Sequence, residues 1–294
     1  MSFAIIRVPY DSGQRERRMG LGPERLMALG AAGRLTGGSR ESVVPARIES
    51  DLAFPQENAV SFELARKLAG EIERARRQGA FPVVLAGNCL SAVGSVAALS
   101  DVPRLGVIWM DSHGDLNTPE TTPSGFLDGM ALASVTGSCW TGITAGIPGF
   151  AAVPDSRVLH LGARDLDPAE QAIFDSGQIA QVSGAAWRQS GRAALDATLD
   201  AFSRHADAIY LHIDMDVHDA AICRANPYAV PGGPTPDQVR EAVQVIFAKA
   251  PVIAVGLTAY GPESDLDGHA ATAALDLLAT VGRARRARYG SMKD

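Results

Sequence analysis

Cysteine is scarce in this 294-residue chain: Cys89, Cys139 and Cys223 are odd in number and far apart. Such a set offers no disulfide framework and fits a reducing compartment, so a cytoplasmic protein is expected. Positive charge is not in surplus either. Lys and Arg number 27 against 33 Asp and Glu, a net −6, which leaves no electrostatic footprint for nucleic acid. The cluster Arg15-Glu16-Arg17-Arg18 is broken by an acid and reads as a solvated loop. The tail Arg283-Ala284-Arg285-Arg286-Ala287-Arg288 reads as a helix end, where cations suit the dipole. No apolar run approaches the ~20 residues of a membrane span. The start, Met1 to Arg7, lacks the basic-then-apolar plan of a signal peptide. There is no Gly-x-x-x-x-Gly-Lys phosphate loop, and the serines beside a possible base are scattered, which argues against a Ser-His-Asp triad.

What is present is 46% hydrophobic and 20% charged, ample for a large core. Short apolar runs at Phe3–Arg7, Phe81–Ala86, Leu105–Met110, Val158–Leu161, Ala208–Ile213 and Val252–Leu257 read as strands buried on both faces, with shorter ones expected at Ser42–Ile48 and Ile179–Val182. Between them lie helical stretches. Pro23 opens one to about Ala32. Glu57 to Gln78 is the clearest, with Val60, Leu64, Leu68 and Ile72 on one stripe. Others are expected to Leu99, at 130–135, from Pro168 through Phe174, at 186–205, 237–248 and 269–284. Strand and helix alternate throughout, which calls for an α/β fold: a parallel sheet covered by helices on both faces. No linker or repeat interrupts 1–294, so one domain is expected.

Two strand ends carry the chemistry. Leu105–Met110 runs into Asp111-Ser112-His113-Gly114-Asp115, and Ala208–Ile213 runs into Asp214-Met215-Asp216. Residues two apart on an extended chain share a face, so each set can converge at the carboxyl end of its strand, where sites of open α/β sheets lie. A capped strand end is the bland reading of either cluster alone. Together, four carboxylates and an imidazole suit hard divalent ions such as Mn²⁺, Mg²⁺ or Fe²⁺. Five ligands plus a bridging water are too many for one ion and about right for two, an arrangement that makes hydroxide near neutral pH.

These motifs, with Asn117-Thr118-Pro119, Arg164-Asp165-Leu166-Asp167-Pro168 and Gly20-Leu21-Gly22-Pro23 in the same order along nearly the whole chain, resemble the ureohydrolases: arginase, agmatinase and formimidoylglutamase. The resemblance implies a three-layer α/β/α fold with a mostly parallel eight-stranded sheet, two Mn²⁺ ions, homo-trimers or hexamers, and hydrolysis of a guanidino or amidine C–N bond. It would have Asp111 and Asp214 bridge both ions, Asp115 complete one, and His113 with Asp216 complete the other. Asn117 and Ser124 match positions holding a substrate α-carboxylate, and Asp167 the one receiving the α-amino group. That bias favours a guanidino amino acid, with no nucleic acid or membrane as partner.

Four departures accompany the match. Ala86-Gly87-Asn88-Cys89-Leu90 places Cys89 where the family has a metal-binding histidine. As a ligand its thiolate is mismatched to Mn²⁺, so the ion beside it is expected to be weakly held or absent. A buried thiol outside the metal shell is the competing reading. Asp128 stands where a histidine is credited with proton transfer, and it either shuttles protons or caps a helix near Met130. Phe126 replaces an asparagine. Leu257-Thr258-Ala259-Tyr260-Gly261-Pro262 lacks the glutamate that grips the guanidinium, with Ala259 or Thr258 at its position and Glu263 or Asp265 as possible substitutes. Without that carboxylate a less basic guanidine loses less, and the family branch hydrolysing Nω-hydroxyarginine to hydroxyurea and ornithine is compatible. The other expectation is a degenerate member that binds metal or amino acid without turnover.

Overall fold

The computed structural model describes residues 2–39, 41–52 and 56–290. Eight strands form one sheet: β1 (Ser2–Val8), β4 (Ser42–Arg47), β5 (Ala80–Ala86), β6 (Leu105–Met110), β7 (Val158–Leu161), β8 (Ala180–Val182), β9 (Ala208–Asp214) and β10 (Val252–Thr258). Their order is β4-β1-β5-β10-β9-β6-β7-β8, and every pairing is parallel. A two-residue ribbon, β2 (Tyr10–Asp11) with β3 (Gln14–Arg15), follows β1.

Alternation in the strands divides the core. Phe3 and Ile5 of β1 face one apolar cluster, Ala4 and Ile6 the other, and β6 splits likewise between Ile108 with Met110 and Val107 with Trp109. Helices cover both faces, giving the three-layer α/β/α arrangement. They are α1 (Gly22–Ala28), α2 (Ala31–Thr36), α3 (Glu57–Arg77), α4 (Ser91–Ala97), α5 (Ala131–Thr136), α6 (Thr141–Thr144), α7 (Pro168–Asp175), α8 (Gly184–Ser190), α9 (Arg192–Phe202), α10 (Pro236–Lys249) and α11 (His269–Gly290). The α3 stripe Val60, Leu64, Leu68, Ile72 is buried as the spacing requires.

Two expected helices are broken. The run from Pro23 divides at Gly30 and the run 186–205 at Gly191, both with positive φ (92° and 52°). Glycine enters that region without the Cβ penalty. α11 extends past 284 because its basic end is occupied: Arg288 donates to the Phe247 and Ala248 carbonyls near the end of α10, and Arg286 pairs with Glu41 at 2.8 Å. The three cysteines are unpaired and buried. Among the described residues no helix is long and apolar enough to cross a membrane.

Candidate metal centre and active site

The carboxyl ends of the four central strands, β5, β10, β9 and β6, meet at a cavity of about 180 Å³. That is room for a small linear molecule, not for a polymer. His113, Asp115, Asp214 and Asp216 line it with Cys89, Asn117, Asp128 and Asp167.

Asp111 continues β6 by one step, its N–H donating to Leu161 at 3.0 Å. Its carboxylate is held by the Trp109 indole N–H at 3.1 Å and the His113 backbone N–H at 2.8 Å. Beyond it the chain leaves the extended state, and Asp115 sits at φ 53°. The convergence of Asp111, His113 and Asp115 is therefore made by a turn, not by strand alternation. The same holds at β9, where Asp214 ends the strand and Asp216 lies in a single 3-10 turn, Met215–Val217. Asp214 accepts the Asp216 N–H at 2.7 Å. Asp216 accepts from the Ser112 hydroxyl at 2.8 Å and the Asn226 amide at 3.1 Å. Arg164 fixes this turn from behind. Its guanidinium donates to the carbonyls of Gly162, Asp216, Val217, His218, Val230 and Pro231.

The ligating atoms form two triads, Cys89–Asp111–Asp115 and Asp111–His113–Asp216, each within 4.8 Å. Asp111 belongs to both. Asp214 joins through Cys89, whose sulfur lies 2.9 Å from its Oδ2. Burial, then the neighbouring carboxylates, drives Asp111, Asp115 and Asp214 above the ordinary carboxyl range. Burial also acts on Asp216, but His113, Ser112 and Asn226 outweigh it and hold that carboxyl low. Burial opposes a charged His113, yet Asp216 and Asp111 prevail and raise it to about 10. Burial, then the carboxylates of Asp214, Asp128, Asp115 and Asp111, push the Cys89 thiol up. No Lys or Arg lines the cavity among the described residues, and Asp115 Oδ2 is buried with no partner. An unpaired carboxylate oxygen inside a cluster of its own sign is costly unless a cation sits against it. Donor set, crowding and orphaned oxygen together fit divalent ions.

The remaining sequence candidates fall unequally. Asn117 is buried and donates to Asp167 at 2.8 Å, so the two are brought together. Ser124 is exposed at the mouth, accepting from the Phe126 N–H at 3.1 Å. Phe126 leans on Tyr228 with ring centroids 5.2 Å apart. Asp128 is no helix cap. It reaches instead across to the Gly87–Leu90 loop, accepting the Leu90 N–H at 2.8 Å and the Asn88 amide at 2.9 Å, and burial raises it to about 7 despite those bonds. Ala259 lines the cavity, with φ 59°, whereas Thr258 turns toward Cys89 and His212. Neither proposed substitute carboxylate enters. Glu263 is exposed, and Asp265 accepts the Ala270 and Ala271 N–H groups at the start of α11.

Asn226, Tyr228, Met19 and Glu170 also line the cavity and were not foreseen. Only Glu170 had a sequence signal. Asp167-Pro168-Ala169-Glu170 is a capping box, and the Glu170 carboxylate accepts the Asp167 and Leu116 N–H groups at 2.9 and 3.0 Å. His160 on β7 and His212 on β9 are fully buried, and so is His218, just past the Met215–Val217 turn. His205 lies just past the end of α9, not within it.

The Arginase family profile matches residues 1–282. The chain belongs to the arginase family. Among individual relatives, an arginase of Staphylococcus aureus is 28% identical over 289 residues, covering 94% of this chain and 95% of that one. The Xenopus laevis protein "Arginase, non-hepatic 3" is 32% identical over 260 residues, covering 83% and 71%. The arginase structure from Bacillus cereus superposes with TM-score 0.86 at 25% identity, over 96% of this chain and 98% of that one. The arginase fold and the metal-dependent chemistry of the family thus match the centre built above.

Proposed function

We propose that this arginase-family hydrolase cleaves a guanidino C–N bond in arginine or a close derivative such as Nω-hydroxyarginine, releasing urea or hydroxyurea and ornithine, with Mn²⁺ as its metal. The observation carrying this reading is Asp111, shared by two triads of ligating atoms at the mouth of four central strands. Divalent ions bound there supply Lewis acidity and a nucleophilic water near neutral pH. Asp111, common to both triads, and Asp214, beside Cys89, would be shared between the ions, with Cys89 and Asp115 holding one and His113 and Asp216 the other. Asn117 and Ser124 offer donors to a substrate carboxylate, and Asp167 an acceptor to its ammonium. Asp128, raised to about 7 beside the cavity, holds a proton for the departing amine near neutral pH.

Ala259 favours a substrate whose guanidine is less basic. No carboxylate occupies its place, so a cationic head group gains no bidentate partner there, whereas an N-hydroxylated one needs it less. Assembly into trimers or hexamers belongs to the same proposal. The test is ureide release from a panel of guanidino acids, with and without added Mn²⁺, for the wild type and Asp111→Ala. Metal-dependent release abolished by Asp111→Ala supports the reading. A protein that binds the ion yet releases nothing from any member of the panel favours a non-catalytic member, the role that Cys89, Asp128 and Ala259 motivate.

A further inference from the structure

Behind the Cys89 corner runs a row of buried polar groups that the reaction itself does not use. Thr258 Oγ1 is 3.2 Å from Cys89 Sγ and 3.3 Å from His212 Nε2. His212 Nδ1 is 3.2 Å from the Tyr210 hydroxyl. Tyr210, His212 and Thr258 are all 0% exposed. The row follows from sheet register: Thr258 of β10 pairs with Ala86 on one side and Asp214 on the other, and Gly256 pairs with His212. Gly256 leaves the space the row needs, since a Cβ there would collide with the Tyr210 hydroxyl. Trp109 closes the other side, stacked on the His212 ring with centroids 3.7 Å apart.

The His212 tautomer sets the direction of the row. A neutral imidazole has one donor and one acceptor nitrogen. With the Tyr210 hydroxyl donating to Nδ1, Nε2–H donates to Thr258 Oγ1, and the Thr258 hydrogen is left for a further acceptor. The Ile213 carbonyl lies at 3.4 Å, while the Cys89 sulfur is nearer, at 3.2 Å. In a metal site such partners behind a ligand orient it and raise its affinity. The orphaned Oδ2 of Asp115, in the same triad as Cys89, marks the side of the sulfur on which the ion belongs.

We propose that Thr258, set by His212 and Tyr210, is a positioning residue that donates to the Cys89 sulfur and makes it a thiolate ligand of the neighbouring ion. This rests on the metal-centre reading above and adds to it three residues outside the shell.

Cobalt reports the bond directly, because a thiolate bound to Co²⁺ gives a sulfur-to-metal charge-transfer band in the near ultraviolet. Metal-stripped full-length protein is titrated with Co²⁺ as wild type, Cys89→Ser, Thr258→Val, Thr258→Ser and Tyr210→Phe. The wild type is expected to show the band and Cys89→Ser to lose it. Thr258→Val is expected to weaken Co²⁺ binding at this corner by about 10-fold or more and to diminish the band, with Thr258→Ser restoring both. Tyr210→Phe, which keeps the ring, weakens the band as well, and it decides the matter if Thr258→Val does not fold. No band in the wild type means Cys89 is not a ligand, and both ideas fall. A band in the wild type that Thr258→Val, or failing that Tyr210→Phe, leaves unchanged overturns the positioning role alone. So does a folded Thr258→Ser that fails to restore the band.

Discussion

The Cys89 sulfur lies 2.9 Å from Asp214 Oδ2, two residues separated by 125 positions and brought together by the adjacency of strands β5, β10 and β9. That contact places a thiol inside a cluster of carboxylates, and it makes the choice of metal a property of one side chain.

Cys89→His is therefore expected to raise manganese content. Imidazole is a harder ligand than thiolate and better matched to Mn²⁺. Elemental analysis after dialysis against a fixed Mn²⁺ concentration should show more ion per chain in the variant. Equal occupancy would mean that residue 89 stands outside the shell.

The metal-stripped protein should lose stability as pH rises above about 6.5. His113 has its folded value raised from 6.5 to about 10, and Asp128 has its own raised from 3.8 to about 7. A raised value means that the folded state binds more protons than the unfolded chain between the two values, so stability falls with pH across each window. Below about 6.5 the buried His160, His212 and His218, lowered to about 3, 3 and 4, act in the opposite sense. Added divalent ion should gain in effect as pH rises, because it displaces those extra protons. Thermal melts from pH 6.5 to 9 in chelator and in Mn²⁺ should diverge. Parallel curves would count against a metal centre at these residues.

Ala259→Glu should shift preference toward the more basic guanidine. The side chain at 259 faces the cavity, and a carboxylate there restores one charge-assisted partner. Such a partner is worth roughly 1.5–3 kcal/mol, so the ratio of kcat/KM for arginine over Nω-hydroxyarginine should rise by about 10- to 100-fold. Steady-state kinetics on the two substrates measures it, and an unchanged ratio would show that residue 259 does not meet the head group.

Gly87→Ala should damage the centre without touching a ligand. A Cβ at Gly87 would run into the Tyr10 carbonyl and approach Gly20 Cα at 2.8 Å. Relief of that clash moves the loop carrying Asn88 and Cys89, at a cost of about 1–3 kcal/mol. A lowered melting temperature with reduced metal content is expected. Full metal retention would separate the loop from the site.

Much of the architecture was legible because parallel strands buried on both faces read as short apolar runs, and Phe81–Ala86, Leu105–Met110 and Val252–Leu257 are such runs. Asp111, His113, Asp115, Asp214 and Asp216 were legible because two clusters of ligand-type residues follow such runs. Their convergence is made by turns and not by strand alternation, since Asp115 and Asp216 both lie beyond the strand ends. Asn226 was not legible, since its loop has no periodicity and its role arises through Asp216, the Ala259 carbonyl and the Tyr228 N–H. The division of labour between Thr258 and Ala259 depends on a positive φ at an alanine, which composition does not announce. Asp128 read equally well as a cap, because only the fold brings the Gly87–Leu90 loop beside it.

Arg164 spends its guanidinium on main-chain carbonyls, and among the described residues no Lys or Arg lines the cavity. A substrate carboxylate held at Asn117 and Ser124 would meet neutral amide and hydroxyl dipoles there instead of an arginine or lysine countercharge. Added salt screens point charges far more than short-range dipoles, so KM for a guanidino acid should stay nearly flat as ionic strength rises.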